Sequence, residues 1–215
     1  MVQYTWQQFP NRGFLKLDVP EEILVPLKAE VDKVSRSRET TPSFNKNLIG
    51  QIENEYVLSE TRDIIFPLLN ELAQEYDSQF AYTSHINQTM KYPAEQIKGY
   101  SLDSYWVNFQ RKHEYNPLHQ HGGVFSFVIW LKIPFDIEEE LNYANSKNAV
   151  TRRNSTFAFQ YTDILGASSD YIIPVDKTYE GKMIFFPAKL WHCVAPFYTT
   201  NEERISVSGN LFFKV

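Results

Sequence analysis

The chain reads as a mainly β protein with helices in its N-terminal part. Three observations lead there. From about residue 102 onward, short strand-like runs follow one another between turn-rich pieces. Ahead of them, two stretches carry helical features instead. Aromatic residues are abundant, with 16 Phe, 13 Tyr and 4 Trp, and such residues favour strands and can line a pocket. Many short strands with regular punctuation predict a sandwich or barrel. No flexible linker separates the two parts, so residues 1–215 are expected to form one domain. In it, 1–100 form a helical cover with supporting strands and 101–215 the β core.

The elements follow in order. Phe14 to Asp18 alternates apolar and polar residues, as an extended strand does. Pro20-Glu21-Glu22 opens a helix to about Val34, because proline and acids suit a first turn with free amides and a positive dipole end. Ser35 to Asn47 is polar and contains a proline, which predicts a loop. A second helix is expected from about Ser59 to Tyr76, with Ile64, Ile65, Leu68, Leu69 and Leu72 on one face and Pro67 as a kink or a late start. Strands are then expected over Leu102 to Gln110, Gly123 to Lys132, Ser155 to Thr162, Asp170 to Val175, Lys182 to Phe186, Cys193 to Tyr198 and Arg204 to Phe213. Turns are expected at Asn116-Pro117, Asp163 to Ser169, Glu180-Gly181 and Thr199 to Glu203. Asp136 to Asn154 forms one longer insertion, expected to shape the entrance together with the N-terminal half.

Composition narrows the function classes. The 215 residues are 43% hydrophobic and 22% charged, ordinary for a soluble globular protein. The net charge is −5, and Arg36-Ser37-Arg38 and Arg152-Arg153 are too short to make a basic surface, so nucleic acid is not an expected partner. Cys193 is the sole cysteine, which excludes a disulfide within the chain and fits a reducing compartment. The segment Met1-Val2-Gln3-Tyr4-Thr5-Trp6 has no basic patch leading into an apolar stretch, and no apolar run reaches membrane-spanning length. A soluble cytoplasmic protein with no membrane partner is the expectation.

Chemistry concentrates in three histidines and one arginine. His119 and His121 lie in Asn116-Pro117-Leu118-His119-Gln120-His121, His192 follows Pro187-Ala188-Lys189-Leu190-Trp191, and Arg204 opens Arg204-Ile205-Ser206. Side chains at i and i+2 of a strand share a face, so two imidazoles can meet one ion, and Gly122-Gly123 lets the backbone bend beside them. His192 can complete the set from another strand. Imidazole serves Fe, Zn, Ni and Cu alike, so the ligand type does not name the metal. Arg204, Ser206, Ser208 and Asn210 share one strand face, with Ile205, Val207, Leu211 and Phe213 on the other. A polar face inside a barrel points to a bound ligand or water. Arg204 can grip a carboxylate with two parallel hydrogen bonds and Ser206 can add a third, unless Arg204 pairs with a local acid such as Glu202 or Glu203. Cys193 reads as a buried, inert thiol. His113-Glu114 lies in a loop near the expected mouth.

His119-x-His121, His192 and Arg204-x-Ser206 together resemble the iron(II) and 2-oxoglutarate-dependent oxygenases. Tyr105 to Asn108, Asn116 to Ser126, Gly181 to Pro187 and Arg204 to Asn210 are similar to oxygenases of marine phages and bacteria. The resemblance covers about residues 100 to 214. It implies a double-stranded β-helix (jelly-roll) core and a dioxygenase, an oxidoreductase acting as a hydroxylase. Fe(II) would be the cofactor, and 2-oxoglutarate and dioxygen the cosubstrates, acting on a substrate the sequence does not name. A phage-encoded chain would work in the host cytoplasm. His119 and His192 fall on the two standard imidazoles, Arg204 on the arginine that holds the keto acid and Ser206 on its partner. Asn108 is a further candidate contact for the keto acid or the substrate. The usual set carries a carboxylate where this chain has His121. Either His121 is the third ligand, or an acid such as Glu114 or one of Asp136 to Glu140 completes the shell.

Two other readings compete. A cupin-like metal enzyme that uses no keto acid also carries His-x-His on a jelly roll. Its first motif supplies a glutamate a few residues later, however, and Val124-Phe125-Ser126-Phe127 offers none. A non-catalytic jelly-roll module is the third reading, and the missing carboxylate is the argument for it.

Overall fold

Two antiparallel sheets face one another, and the two-residue alternation along their strands decides what lies between them. The structure is a computed structural model that describes residues 3, 5, 11–90 and 96–215, with residues 47 and 90 described by their backbone alone. Of the opening segment read for a leader, Met1, Val2, Tyr4 and Trp6 lie outside the described residues.

The elements run β1 (Leu15–Asp18), α1 (Glu21–Arg36), β2 (Glu55–Val57), α2 (Arg62–Phe80), α3 (Tyr82–Met90), β3 (Gly99–Gln110), β4 (Asn116–His119), β5 (Phe125–Lys132), α4 (Ile137–Leu141), β6 (Thr156–Thr162), β7 (Ser168–Pro174), β8 (Lys182–Pro187), β9 (Trp191–Val194) and β10 (Arg204–Lys214). The larger sheet has the order β1-β8-β5-β10-β3-β2 and the smaller one β4-β9-β6-β7. The N-terminal part therefore does more than cover the core. It supplies both edge strands of the larger sheet.

Alternation divides the side chains of the larger sheet cleanly. Tyr105, Val107 and Phe109 on β3, with Phe125, Phe127 and Ile129 on β5, belong to the apolar layer beneath the helices. Val107 pairs with Val207, and Leu211 with Phe125, so one continuous apolar face meets the helices. That layer is completed by Ile23, Leu27 and Val31 of α1 and Ile65, Leu69 and Tyr76 of α2. The opposite face looks into the space between the sheets. There Val128 and Trp130 of β5 and Ile184 and Phe186 of β8 pack against Phe157 and Phe159 of β6. The polar row Ser104, Asn108, Gln110, Arg204, Ser206, Ser208 and Asn210 is on this inner face as well, since Asn108 pairs with Ser206 and Gln110 with Arg204.

Helix α1 keeps its acids, Glu21 and Glu22, in the first turn and Lys33 and Arg36 in the last, as the dipole favours. Pro26 is accommodated inside it. Glu30 is buried on its inner face and accepts hydrogen bonds from the backbone N–H of Ser59, Glu60 and Thr61 at 2.7–2.9 Å. These amides lead into α2, so a carboxylate from one helix caps the next. Helix α2 starts later and ends later than expected. Its buried face is Ile65, Leu69, Ala73 and Tyr76, with Leu68 and Leu72 at the margin and Ile64 43% exposed. Ala81, with φ 47° and ψ 39°, breaks the chain between α2 and α3.

Several expectations are corrected. Asn116-Pro117 is no turn but the start of β4, where a register shift before His119 accommodates the proline. The strand expected over Cys193 to Tyr198 is Trp191–Val194, and the remainder is irregular. The insertion 136–154 forms α4 and turns beside Phe197 and Tyr198. Glu140 is fully buried there and accepts the Tyr198 and Thr199 N–H groups at 2.7–3.0 Å.

Gly123 fixes how β4 leads into β5. Its φ is +82°, and a Cβ there would lie 2.5 Å from the Leu211 carbonyl oxygen, which accepts the Val124 N–H at 2.7 Å. Gly123→Ala should destabilise the chain by about 3 kcal/mol through backbone strain. A urea midpoint equal to wild type would refute this.

Candidate metal centre

His119 and His192 stand directly opposite one another on β4 and β9, paired across the smaller sheet. Far apart in sequence, they become neighbours because β9 lies between β4 and β6. The His121 backbone N–H donates to the Ala188 carbonyl at 2.8 Å, and Lys189 Nζ donates to the His121 carbonyl at 3.0 Å. β4 ends at His119, so His121 is delivered by the bend after the strand and not by strand alternation, as the sequence had implied.

The three rings form one cluster. Their centroids lie 4.8 Å (His119–His121), 4.3 Å (His119–His192) and 4.9 Å (His121–His192) apart. One nitrogen from each ring lies within 4.8 Å of the others. His119 Nδ1 donates to the Pro117 carbonyl at 2.7 Å and His192 Nδ1 to the Leu190 carbonyl at 2.9 Å. A carbonyl can only accept, so the proton of each neutral ring sits on Nδ1 and the lone pair on Nε2. His192 Nε2 lies 3.1 Å from His121 Nε2. Two imidazoles bound at right angles to one ion, each at about 2.1 Å, would be roughly 3 Å apart. The donor set and spacing therefore fit a divalent transition metal, with carbonyls fixing two of the rings.

Burial keeps these rings neutral. It pulls His121 down to about 3, with His119 and Lys189 adding to the effect. Burial likewise lowers His119, and it lowers His192 well below the ordinary imidazole value. No acid joins the cluster among the described residues. Glu114, one alternative ligand, accepts the Glu53 and Arg111 N–H groups instead, and Glu140 is engaged by Tyr198 and Thr199.

Arg204 lines the same interior pocket as the three histidines, together with Asn108, Gln110, Ser206 and Ser208. It is 2% exposed. Its Nε and Nη2 donate to Gln110 Oε1 at 3.0 and 2.5 Å, Nη1 to the Ser155 carbonyl at 3.2 Å and Nη2 to the Ala195 carbonyl at 3.3 Å. Phe135 and Phe197 lie against it, each 5.8 Å from the guanidinium carbon. Every acceptor is neutral. The expected local acids are taken elsewhere, Glu203 by Arg38 and Glu202 by Lys132. Burial pulls the guanidinium down to about 10, opposed by the field of Glu140. It remains a cation at neutral pH, in a place where an unpaired charge is strongly disfavoured.

Asn108 is 5% exposed, accepts the Trp106 indole N–H at 3.0 Å and donates to the Ser206 hydroxyl and carbonyl, each at 3.3 Å. It thus sits among the polar groups of the pocket. Gln110 is the residue that sequence reading missed. Its signal was available, because it is Arg204's partner across β3 and β10. His113 is not brought to the pocket. It turns with φ 72° and stacks edge-on against Tyr198. Cys193 is half-buried, with its thiol pushed up by burial.

Residues 104–210 match the protein family described as "Putative 2OG-Fe(II) oxygenase". Among solved structures, a Pseudomonas putida prolyl-4-hydroxylase is 13% identical, with 94% of each chain covered and a TM-score of 0.55. A Trichoplax adhaerens prolyl hydroxylase, solved with a hypoxia inducible factor peptide fragment, is 10% identical. It covers 94% of this chain and 83% of its own, with a TM-score of 0.51. At such identities the likeness extends to the fold, the double-stranded β-helix. No curated protein matches the sequence.

The lowered imidazoles set a pH dependence for the metal-free protein. Below about 6.5 these three imidazoles bind more protons in the unfolded chain than in the folded one, so their contribution to stability rises with pH there. The contribution is complete above about 6.5 and is lost as pH falls toward about 3, the value for His121. The urea midpoint should drop between pH 7 and pH 5, and drop less in His121→Gln. Equal slopes in the two proteins would contradict the assignment.

Proposed function

We propose, from the match of residues 104–210 to the 2OG-Fe(II) oxygenase family, that the chain is a 2OG-Fe(II) oxygenase. It is an oxidoreductase that uses Fe(II), 2-oxoglutarate and dioxygen and hydroxylates its substrate. In this reading His119, His121 and His192 hold the iron, and Arg204 and Ser206 hold the distal carboxylate of the keto acid. Residues 1–215 act as one domain, and the reducing cytoplasm is its place.

The observation that carries the reading is a pocket lined both by three imidazoles, each offering a nitrogen, and by a buried guanidinium whose hydrogen-bond acceptors are all neutral. A keto diacid satisfies both. Bound Fe(II) and 2-oxoglutarate supply the oxidising power for hydroxylation, by coupling dioxygen reduction to loss of carbon dioxide and formation of succinate.

The chain's own residues bind, orient and exclude water. The Pro117 and Leu190 carbonyls keep Nε2 of His119 and His192 available. Gln110 holds the guanidinium in place by its Nε and Nη2 groups, so the incoming carboxylate shares or displaces that contact. Asn108 positions the Ser206 hydroxyl. Leu48, Ile49 and Ile52, on the segment before β2, close the pocket from the side. Replacing the usual carboxylate by neutral His121 leaves the metal one unit more positive. That favours binding of a dianionic cosubstrate. The cupin-like alternative gives Arg204 nothing to bind.

Anaerobic protein given Fe(II) and 2-oxoglutarate should develop the visible absorption band of the chelate, and admitting air should release succinate. Arg204→Ala should weaken keto-acid affinity by about a hundredfold, the scale for losing one partner of a buried charge pair. A folded Arg204→Ala with unchanged affinity, judged by circular dichroism and titration, would overturn the assignment.

A further inference from the structure

On the outer side of His119 and His121 lies a second, open groove of about 730 Å³. Six apolar side chains line it: Phe44, Leu48, Ile49, Leu118, Trp191 and Phe212. Three of them, Ile49, Leu118 and Trp191, are 41–61% exposed, an unusual concentration of large apolar groups at one rim. Apart from the two histidines, the groove has one ionisable side chain among the described residues, Asp103.

Asp103 is there because of a backbone irregularity. On β10, consecutive Asn210 and Leu211 pair with Ser104 and Leu102 of β3, so Asp103 is the extra residue of a β-bulge. Without the bulge, alternation would send residue 103 to the apolar layer under the helices. With it, Leu102 takes that place, 4% exposed in the core, and the carboxylate turns into the groove. Bulges next to active sites commonly re-aim a side chain in this way. Asp103 makes no hydrogen bond or ion pair with another described residue.

We infer that the groove takes a substrate with an organic cation, ammonium or guanidinium, on an apolar body, and that Asp103 selects the charge. This rests on the oxygenase reading, which makes the groove the substrate side of the metal. The aromatic rim suits such a substrate: Trp191, Phe44 and Phe212 offer area to the apolar body. A lone carboxylate, with no lysine or arginine among the described lining residues, supplies the sign. Free amines and cationic side chains of peptides share this chemistry.

The test is direct binding to the full-length, metal-free chain, so its outcome is separate from iron and keto-acid chemistry. Calorimetric titrations would compare phenethylamine with phenethyl alcohol and phenylpropionate, and a capped lysine tripeptide with its norleucine counterpart. The amine should bind about fivefold more tightly than the alcohol, and the carboxylate more weakly still. Whichever of amine and lysine peptide binds better identifies the source. Asp103→Asn should abolish the preference for the cation, whereas Trp191→Ala should weaken amine and alcohol alike. No preference in wild type, or a preference that survives in Asp103→Asn, would overturn the inference. Failure of the chelate band with intact cation selectivity would instead count against the oxygenase reading alone.

Discussion

A guanidinium buried in the protein interior without a carboxylate beside it is the constraint around which this structure is arranged. Water solvates a cation far better than a protein core does, so Arg204 is tolerable only because neutral groups surround it with acceptors. Gln110, Ser155 and Ala195 provide them. The buried Glu140 carboxylate acts on the guanidinium through its field alone, without bonding to it, and an anion in the pocket shared with the three histidines would supply a direct partner.

The fold makes that possible through alternation. β3 and β10 run antiparallel in the centre of the larger sheet and give their apolar side chains to the helices and their polar ones to the interior. The smaller sheet faces them with Phe157 and Phe159 and, at its β4 edge, with the histidine pair. One departure from strict pairing delivers each remaining group. The bend at Gly123 returns the chain beside Leu211 after His121, and the bulge at Asp103 turns a carboxylate to the outer groove. Iron and keto acid would thus lie inside the barrel, with substrate entering over the opposite side of the same histidines.

Much of this was legible in the sequence because strands carry period-two patterning. The face of Arg204, Ser206, Ser208 and Asn210 was readable from β10 alone, and so was the burial of Val207 and Leu211. The resemblance of the His-x-His, distal His and Arg-x-Ser set pointed to the oxygenase family. Short elements were harder. β2 has three residues and is defined by its partner, not by its own pattern. α3 is short, polar on much of its surface and separated from α2 only by the left-handed Ala81. β4 begins with Asn116-Pro117, which local chemistry reads as a turn, and tertiary pairing with β9 overrides it. The insertion 136–154 was placed at the entrance, yet none of its residues lines the outer groove. It supports the Arg204 end through Glu140 and its contacts to the 198–199 backbone. Gln110 went unnoticed since its importance lies in a partner across the sheet.

The most direct measurement is keto-acid affinity after Gln110→Glu. This substitution would give Arg204 a permanent internal counterion at the position of its present neutral acceptor. If the guanidinium is held for an incoming carboxylate, the variant should unfold at higher urea concentration and bind 2-oxoglutarate about tenfold or more weakly, as a charge already paired attracts less. A variant that gains stability yet binds the keto acid as tightly as wild type would show that Arg204 is not the anchor.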